Sequence, residues 1–154
     1  MAIDLLHIFT LIHDDIMYKD TIRHGKKTIH HKWDTSTAIL AGDGIYTIAQ
    51  LVLNSIDCNY KELIKFFNEV TLDICEGQAL DKEFEDLDNV TDELYLEMVK
   101  KKTGSLIAAS AVMPSIYANE KSETVRLLRT FGECLGKGFQ IHDDLLEITS
   151  DSAT

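Results

Sequence analysis

The sequence predicts an all-α protein, a single unit of about five or six helices. Apolar residues recur at three- and four-residue steps along most of the 154 residues. One proline and eight glycines leave few helix breakers. No segment shows the apolar–polar alternation of a half-buried strand.

Residues 2–18 read as a mostly apolar helix. Residues 20–34, "DTIRHGKKTIHHKWD", are polar and basic, contain Gly25 and read as a loop. Asp34, Thr35 or Ser36 can cap the next helix, "STAILAGDGIYTIAQLVLNS". It is apolar on several faces, which places it at the centre of the bundle. In "NYKELIKFFNEVTLDICEGQALDKEFED", residues Leu63, Phe66, Phe67, Val70 and Ile74 form the buried stripe of a long amphipathic helix. Thr91 opens a further helix, with Asp92 and Glu93 suited to its positive start. Pro114 is expected to kink or divide that segment. A last helix spans roughly residues 122–147. A glycine inside a helix costs about 1 kcal/mol, so Gly132, Gly136 and Gly138 imply close helix contact.

The formal charge of −11 argues against nucleic acid as a partner and against a polybasic membrane anchor. The apolar N-terminus has neither a basic start nor a cleavage-site pattern, so a signal peptide is not expected. No run of about 18 apolar residues is present, so no membrane span is expected either. Cys58, Cys75 and Cys134 are odd in number and widely spaced, which suits reduced thiols in the cytoplasm.

Two short stretches carry the chemistry, "LIHDDIM" near the start and "QIHDDLL" near the end. Each sets an aspartate pair, Asp14–Asp15 or Asp143–Asp144, among apolar residues. Burying a carboxylate is costly unless something pairs with it. Two such pairs facing each other across a bundle could share that cost by binding cations. Carboxylates and water suit Mg²⁺, which commonly bridges protein carboxylates to substrate phosphates. Asp143 and Glu147 lie four apart, on one helix face, whereas the residue four after Asp14 is Tyr18. Lys102, Thr103, Arg23 and Lys26 could hold a diphosphate. Gln78 and Gln140 are amides in apolar stretches, compatible with either a core role or a ligand contact.

The ordered blocks "HDDIM…RHGK", "LAGD", "GQALD", "KTGSL" and "FQIHDDLLE" resemble the trans-isoprenyl diphosphate synthases, the polyprenyl synthetase family. The resemblance covers most of this chain but only the central part of the family's domain. It implies an isoprenoid synthase-type helical bundle truncated at both ends, a partial domain over residues 1–154. It also implies condensation of isopentenyl diphosphate with an allylic diphosphate, assisted by Mg²⁺. On this reading Asp14, Asp15 and Asp143 are metal carboxylates. Arg23, His24, Lys26 and Asp144 support the diphosphates and the metal shell. Lys102, Thr103 and Gln140 form the catalytic set, and Gln78 lines the reacting end. Phe9, five residues before Asp14, stands where an aromatic limits chain length in archaeal-type members, which implies a C15–C20 product.

The resemblance has gaps. Tyr18 stands in place of a third aspartate, His24 in place of a second arginine, and Glu147 in place of a final aspartate. A family segment of the form Gly-Lys-x-x-Arg is absent. The expectation is therefore a fragment, one half of a split enzyme, or a subunit that needs a partner, as a homodimer or a heteromer with a related or complementary synthase chain, with apolar faces exposed on the first and last helices. A degenerate, non-catalytic subunit is the alternative. A His-Asp-type metal phosphohydrolase, suggested by the repeated His-Asp-Asp, is a more distant one.

Overall fold

The computed structural model describes residues 1–57 and 60–149, without the side chains of Tyr60 and Glu147. Cys58, and the expectation that Glu147 shares a face with Asp143, lie outside the described residues. The chain forms two compact units, Met1–Tyr60 and Lys61–Thr154.

The first unit holds helix α1 (Ala2–Met17), strands β1 (Ile22–Arg23) and β2 (Lys26–Lys27), the short α2 (Ile29–Lys32) and α3 (Thr35–Asn54). Helix α1 buries Leu6 and Ile12 and stops in a Schellman arrangement. Lys19 takes φ 59°, its N–H bonds the Ile16 carbonyl, and the Asp20 N–H bonds the Asp15 carbonyl. The predicted loop over 20–34 instead contains a small antiparallel hairpin, Ile22 opposite Lys27 and Arg23 opposite Lys26. Its turn residues His24 (φ 50°) and Gly25 (φ 72°) both occupy the left-handed region, as a two-residue hairpin turn requires. Strands of two residues are too short to show alternation, which is why periodicity missed them.

Asp34 caps α3, its carboxylate accepting from the Thr37 N–H at 2.8 Å and from the Thr37 hydroxyl at 2.9 Å. Those bonds hold the Asp34 carboxyl below its ordinary range. Helix α3 packs on α1. A Cβ at Gly42 would fall 2.3 Å from the His13 ring, so a larger residue there would require that ring to move. The expected central position of α3 is not found. Its buried residues are mainly small (Ala38, Gly42, Ala49, with Leu53), while Leu40 and Leu51 are exposed. By length and mean hydropathy (20 residues, 1.3), α3 alone among the described helices could cross a membrane. Asp43 lies within it, and a mid-membrane aspartate costs about 3 kcal/mol.

The second unit holds α4 (Tyr60–Phe84), α5 (Asp92–Val99), a π-helical turn (Lys100–Gly104), α6 (Ser105–Tyr117) and α7 (Ser122–Thr149). Leu63, Phe66, Phe67, Val70 and Ile74 are all buried, as the spacing predicts. Burying each such side chain contributes about 1.5–3 kcal/mol. Thr91 caps α5, its hydroxyl accepting from the Leu94 N–H at 3.3 Å. Pro114 does not divide α6, which continues to Tyr117. Proline deletes one hydrogen bond, and so near the helix end little else is disturbed. The irregular turn falls earlier, at Lys100–Gly104.

Glycines bring the helices of this unit together. A Cβ at Gly132 would lie 2.3 Å from the Ala108 Cα, and one at Gly136 2.5 Å from the Gly104 Cα. Gly138 has open space around it, contrary to its expected packing role. Helix α7 turns Gly132, Gly136, Gln140 and Asp144 inward, at four-residue steps. It leaves Leu127, Phe131 and Leu135 more than half exposed. An exposed apolar face on the last helix was expected. On α1 the exposure reaches only Ile8 and Met17 among large apolar residues beyond Met1.

Candidate active site

In the first unit, Asp15 is buried at 6 % exposure and Asp14 half-buried. The Arg23 Nε donates to Asp15 Oδ1 at 2.5 Å, and its Nη2 reaches Asp20 at 3.4 Å. The hairpin makes this possible by returning Arg23 toward the end of α1. Because α1 has ended by Met17, Asp20 is no longer bound to helical geometry and joins the same arginine. Tyr18, four positions after Asp14, is the C-cap residue of α1. His24 and Lys26 are exposed on the hairpin. The Phe9 ring makes tilted contacts with the rings of His13 (4.6 Å) and Tyr46 (5.3 Å), so it is held by α1 and α3 together.

In the second unit, side chains far apart in sequence form one network. The Thr103 hydroxyl donates to Gln140 Oε1 at 2.7 Å, and Gln140 Nε2 donates to Asp144 Oδ1 at 2.7 Å. The Tyr95 hydroxyl donates to Asp144 Oδ2. Burial, then the bond to Asp144, pushes the Tyr95 phenol up to about 12. Lys102 donates to Asp81 at 2.5 Å. Gly77 lies against the π-helical turn, where a Cβ would come 2.3 Å from the Lys102 backbone nitrogen. Gln78 is buried at 8 % exposure. Lys101 and Lys100 brace the turn through Glu76 (2.7 Å) and Glu133 (3.1 Å).

Asp143 differs from Asp144. It is exposed, and no hydrogen bond or ion pair engages its side chain among the described residues. No cluster of three or more histidines, cysteines or carboxylates is present among those residues. Mg²⁺ does not need one, since it commonly takes one or two protein carboxylates and completes its shell with water and substrate phosphate. An exposed aspartate without a side-chain partner fits that requirement.

Asp81 and Tyr95 join these contacts without being nominated as site candidates by the sequence. Asp81 lay within the quoted "GQALD" block. Tyr95 carried no signal, because its partner is 49 residues away.

The described fold is mainly helical, with an aspartate pair in each unit and a Lys–Thr turn bonded to a Gln-x-x-x-Asp face. The Polyprenyl synthetase family model matches residues 1–154, and the chain belongs to that family. It is 43 % identical over 152 residues to the geranylgeranyl pyrophosphate synthase of Geoglobus acetivorans, covering 97 % of this chain and 48 % of that protein. It is 43 % identical over 155 residues to the geranylfarnesyl diphosphate synthase of Natronomonas pharaonis, covering 99 % and 46 %. A solved geranylgeranyl pyrophosphate synthetase from Geoglobus acetivorans superposes with a TM-score of 0.94 at 44 % identity, covering 98 % of this chain and 50 % of that one. The chain spans about half the length of the curated relatives it matches.

Proposed function

We propose that this chain serves a prenyl transfer in which an allylic diphosphate is joined to isopentenyl diphosphate, giving a short product of C15–C20. The observation that carries the reading is the polar network of the second unit. It joins the Thr103 hydroxyl, the Gln140 amide and the aspartate motif, with Lys102 held beside it by Asp81.

In this reading Asp14, Asp15 and Asp143 hold Mg²⁺, which when bound neutralises charge on the departing diphosphate. Lys102 and Arg23 exchange their carboxylate partners for diphosphate oxygens, with His24 and Lys26 as further contacts. Thr103 and Gln140 fix the reacting end, and Gln78 lines it. Phe9 limits chain growth, supported by its tilted ring contact with Tyr46. The exposed apolar stripe of α7 supports assembly with a second or related chain. Exposed free thiols at Cys75 and Cys134 support a cytoplasmic setting.

The test is incubation of the full chain with Mg²⁺, isopentenyl diphosphate and a series of allylic diphosphates, alone and with candidate partner synthase chains. Longer prenyl diphosphates are expected. Phosphate release from nucleotides without prenyl product would overturn the reading. A second reading, a non-catalytic subunit, is favoured by Tyr18, which puts a phenol where a carboxylate would follow Asp14 by one turn. Tyr18→Asp separates the two. If the missing carboxylate limits the site, Mn²⁺ binding tightens by about tenfold in a paramagnetic titration. Unchanged binding shows that this position does not set metal affinity.

A further inference from the structure

Both oxygens of Asp144 are occupied. Gln140 takes Oδ1 from one helical turn away, and Tyr95 takes Oδ2 from a different helix. The Gln140 amide is therefore oriented from both ends. Its NH₂ must face the carboxylate, which accepts, so its carbonyl faces the Thr103 hydroxyl, which donates at 2.7 Å. The three bonds run Tyr95 to Asp144, Gln140 to Asp144 and Thr103 to Gln140. The rod of α5, π-helical turn and α6 thus grips α7 at two points, one from α5 and one from the turn.

The register of that grip depends on the π-helical turn. Glycine contacts pair Ala108 with Gly132 and Gly104 with Gly136, so chain positions advance in opposite directions on the two sides. From Gly104 back to Tyr95 is nine positions, whereas from Gly136 on to Asp144 is eight. A π-helical turn holds an additional residue, and here it lets Tyr95 and Thr103 reach the same face of α7 together.

We infer that Tyr95 is a positioning residue. Its phenol anchors Asp144, and through Asp144 it fixes the orientation of Gln140 and the Thr103 hydroxyl at the reacting end. The inference rests on the prenyl-transfer reading for what the reacting end does, but not for the geometry of the network. Tyr95 does not touch substrate in this account. Its ring packs like that of phenylalanine, and the hydroxyl alone does the anchoring.

The experiment compares wild type with Tyr95→Phe in the full chain. The first readout needs no activity: exchange of the Gln140 side-chain amide protons with water, followed by NMR. Losing the anchor should speed that exchange by about tenfold or more, while the thermal midpoint moves by only about 2 °C or less. The second readout is turnover. The kcat should fall by about tenfold with KM for both diphosphates within about twofold, because the loss is of orientation rather than of affinity. In an Asp144→Asn background, Tyr95→Phe should add nothing further, since the two act as one unit. Unchanged Gln140 exchange in Tyr95→Phe would overturn the inference. So would an equal loss of kcat with and without the Asp144 carboxylate. A wild-type chain that makes no prenyl product, alone or with partner chains, overturns the functional reading instead, and amide exchange then still decides whether Tyr95 holds the network.

Discussion

Arg23 is the residue on which the first unit's site turns. It is the partner of Asp15, which is 6 % exposed, and it holds Asp20 as well. A carboxylate buried this far is costly once its cation is removed. Arg23→Ala should destabilise the chain by about 2–3 kcal/mol in urea unfolding. A loss below about 0.5 kcal/mol would show that water replaces the guanidinium without cost. Tyr95 gives a second test at this scale, through pH. Its phenol lies near 10.0 when unconstrained and is raised to about 12 by burial and the bond to Asp144. A raised value favours the neutral form in the folded state, so this contribution is full below about pH 10 and is lost as pH rises toward 12. Stability should therefore fall over that window in wild type and fall less in Tyr95→Phe, as followed by circular dichroism. Equal pH profiles would contradict the assignment. Residue types and their order nominate most of the candidate carboxylates and cations, though not Asp81. Their partnerships were not readable. Nothing in the order of residues says that Arg23 pairs with Asp15, or Lys102 with Asp81.

Among the elements, α7 shows how much of a helix is decided by what it meets. Gly132 lies against the Ala108 backbone with no space for a methyl group. Gly132→Ala gains helix propensity of about 1 kcal/mol but forces the two helices apart. The net expectation is a loss of about 1–2 kcal/mol, measured by thermal unfolding. Gly138→Ala meets nothing within 4 Å and should stabilise by about 0.5–1 kcal/mol. The reverse order of the two variants would show that the close contact does not govern α7. In the sequence the three glycines look alike, since a glycine signals freedom of approach without saying whether a neighbour uses it. The sequence also predicts the break at Pro114 rather than at Lys100–Gly104. Proline has a known local effect, whereas a π-helical turn answers to packing on both sides and leaves no composition signature. The hairpin at 22–27 escaped notice for a related reason: its signal is the turn, His24–Gly25, and not the strands.

Among the described residues, the order of the long helices and most of their boundaries followed from periodicity and caps. Asp34 and Thr91 cap the helices they were expected to open, and the α4 stripe is buried throughout. Burial of α3 was misjudged because apolar content does not reveal which faces find a partner; it buries small residues and exposes leucines. The contacts of the second unit have a further consequence, for the order in which it assembles. Helices α6 and α7 are joined by a short turn at Ala118–Lys121, so Ala108 and Gly132 meet across a small loop. Gly104 and Gly136 close a larger one, Thr103 and Gln140 a larger one still, and Tyr95 and Asp144 the largest, at 49 residues. Each added span raises the entropy of closure. The α6–α7 hairpin should zip from its turn outward, so that the Tyr95–Asp144 end forms last and frays first. Native-state hydrogen exchange should find weaker protection at Val99–Thr103 than at Ile107–Val112, and equal protection would mean that the unit closes in a single step. The chemistry would then sit at the open end of a helical zipper, where small local openings admit and release a substrate without unfolding the rest.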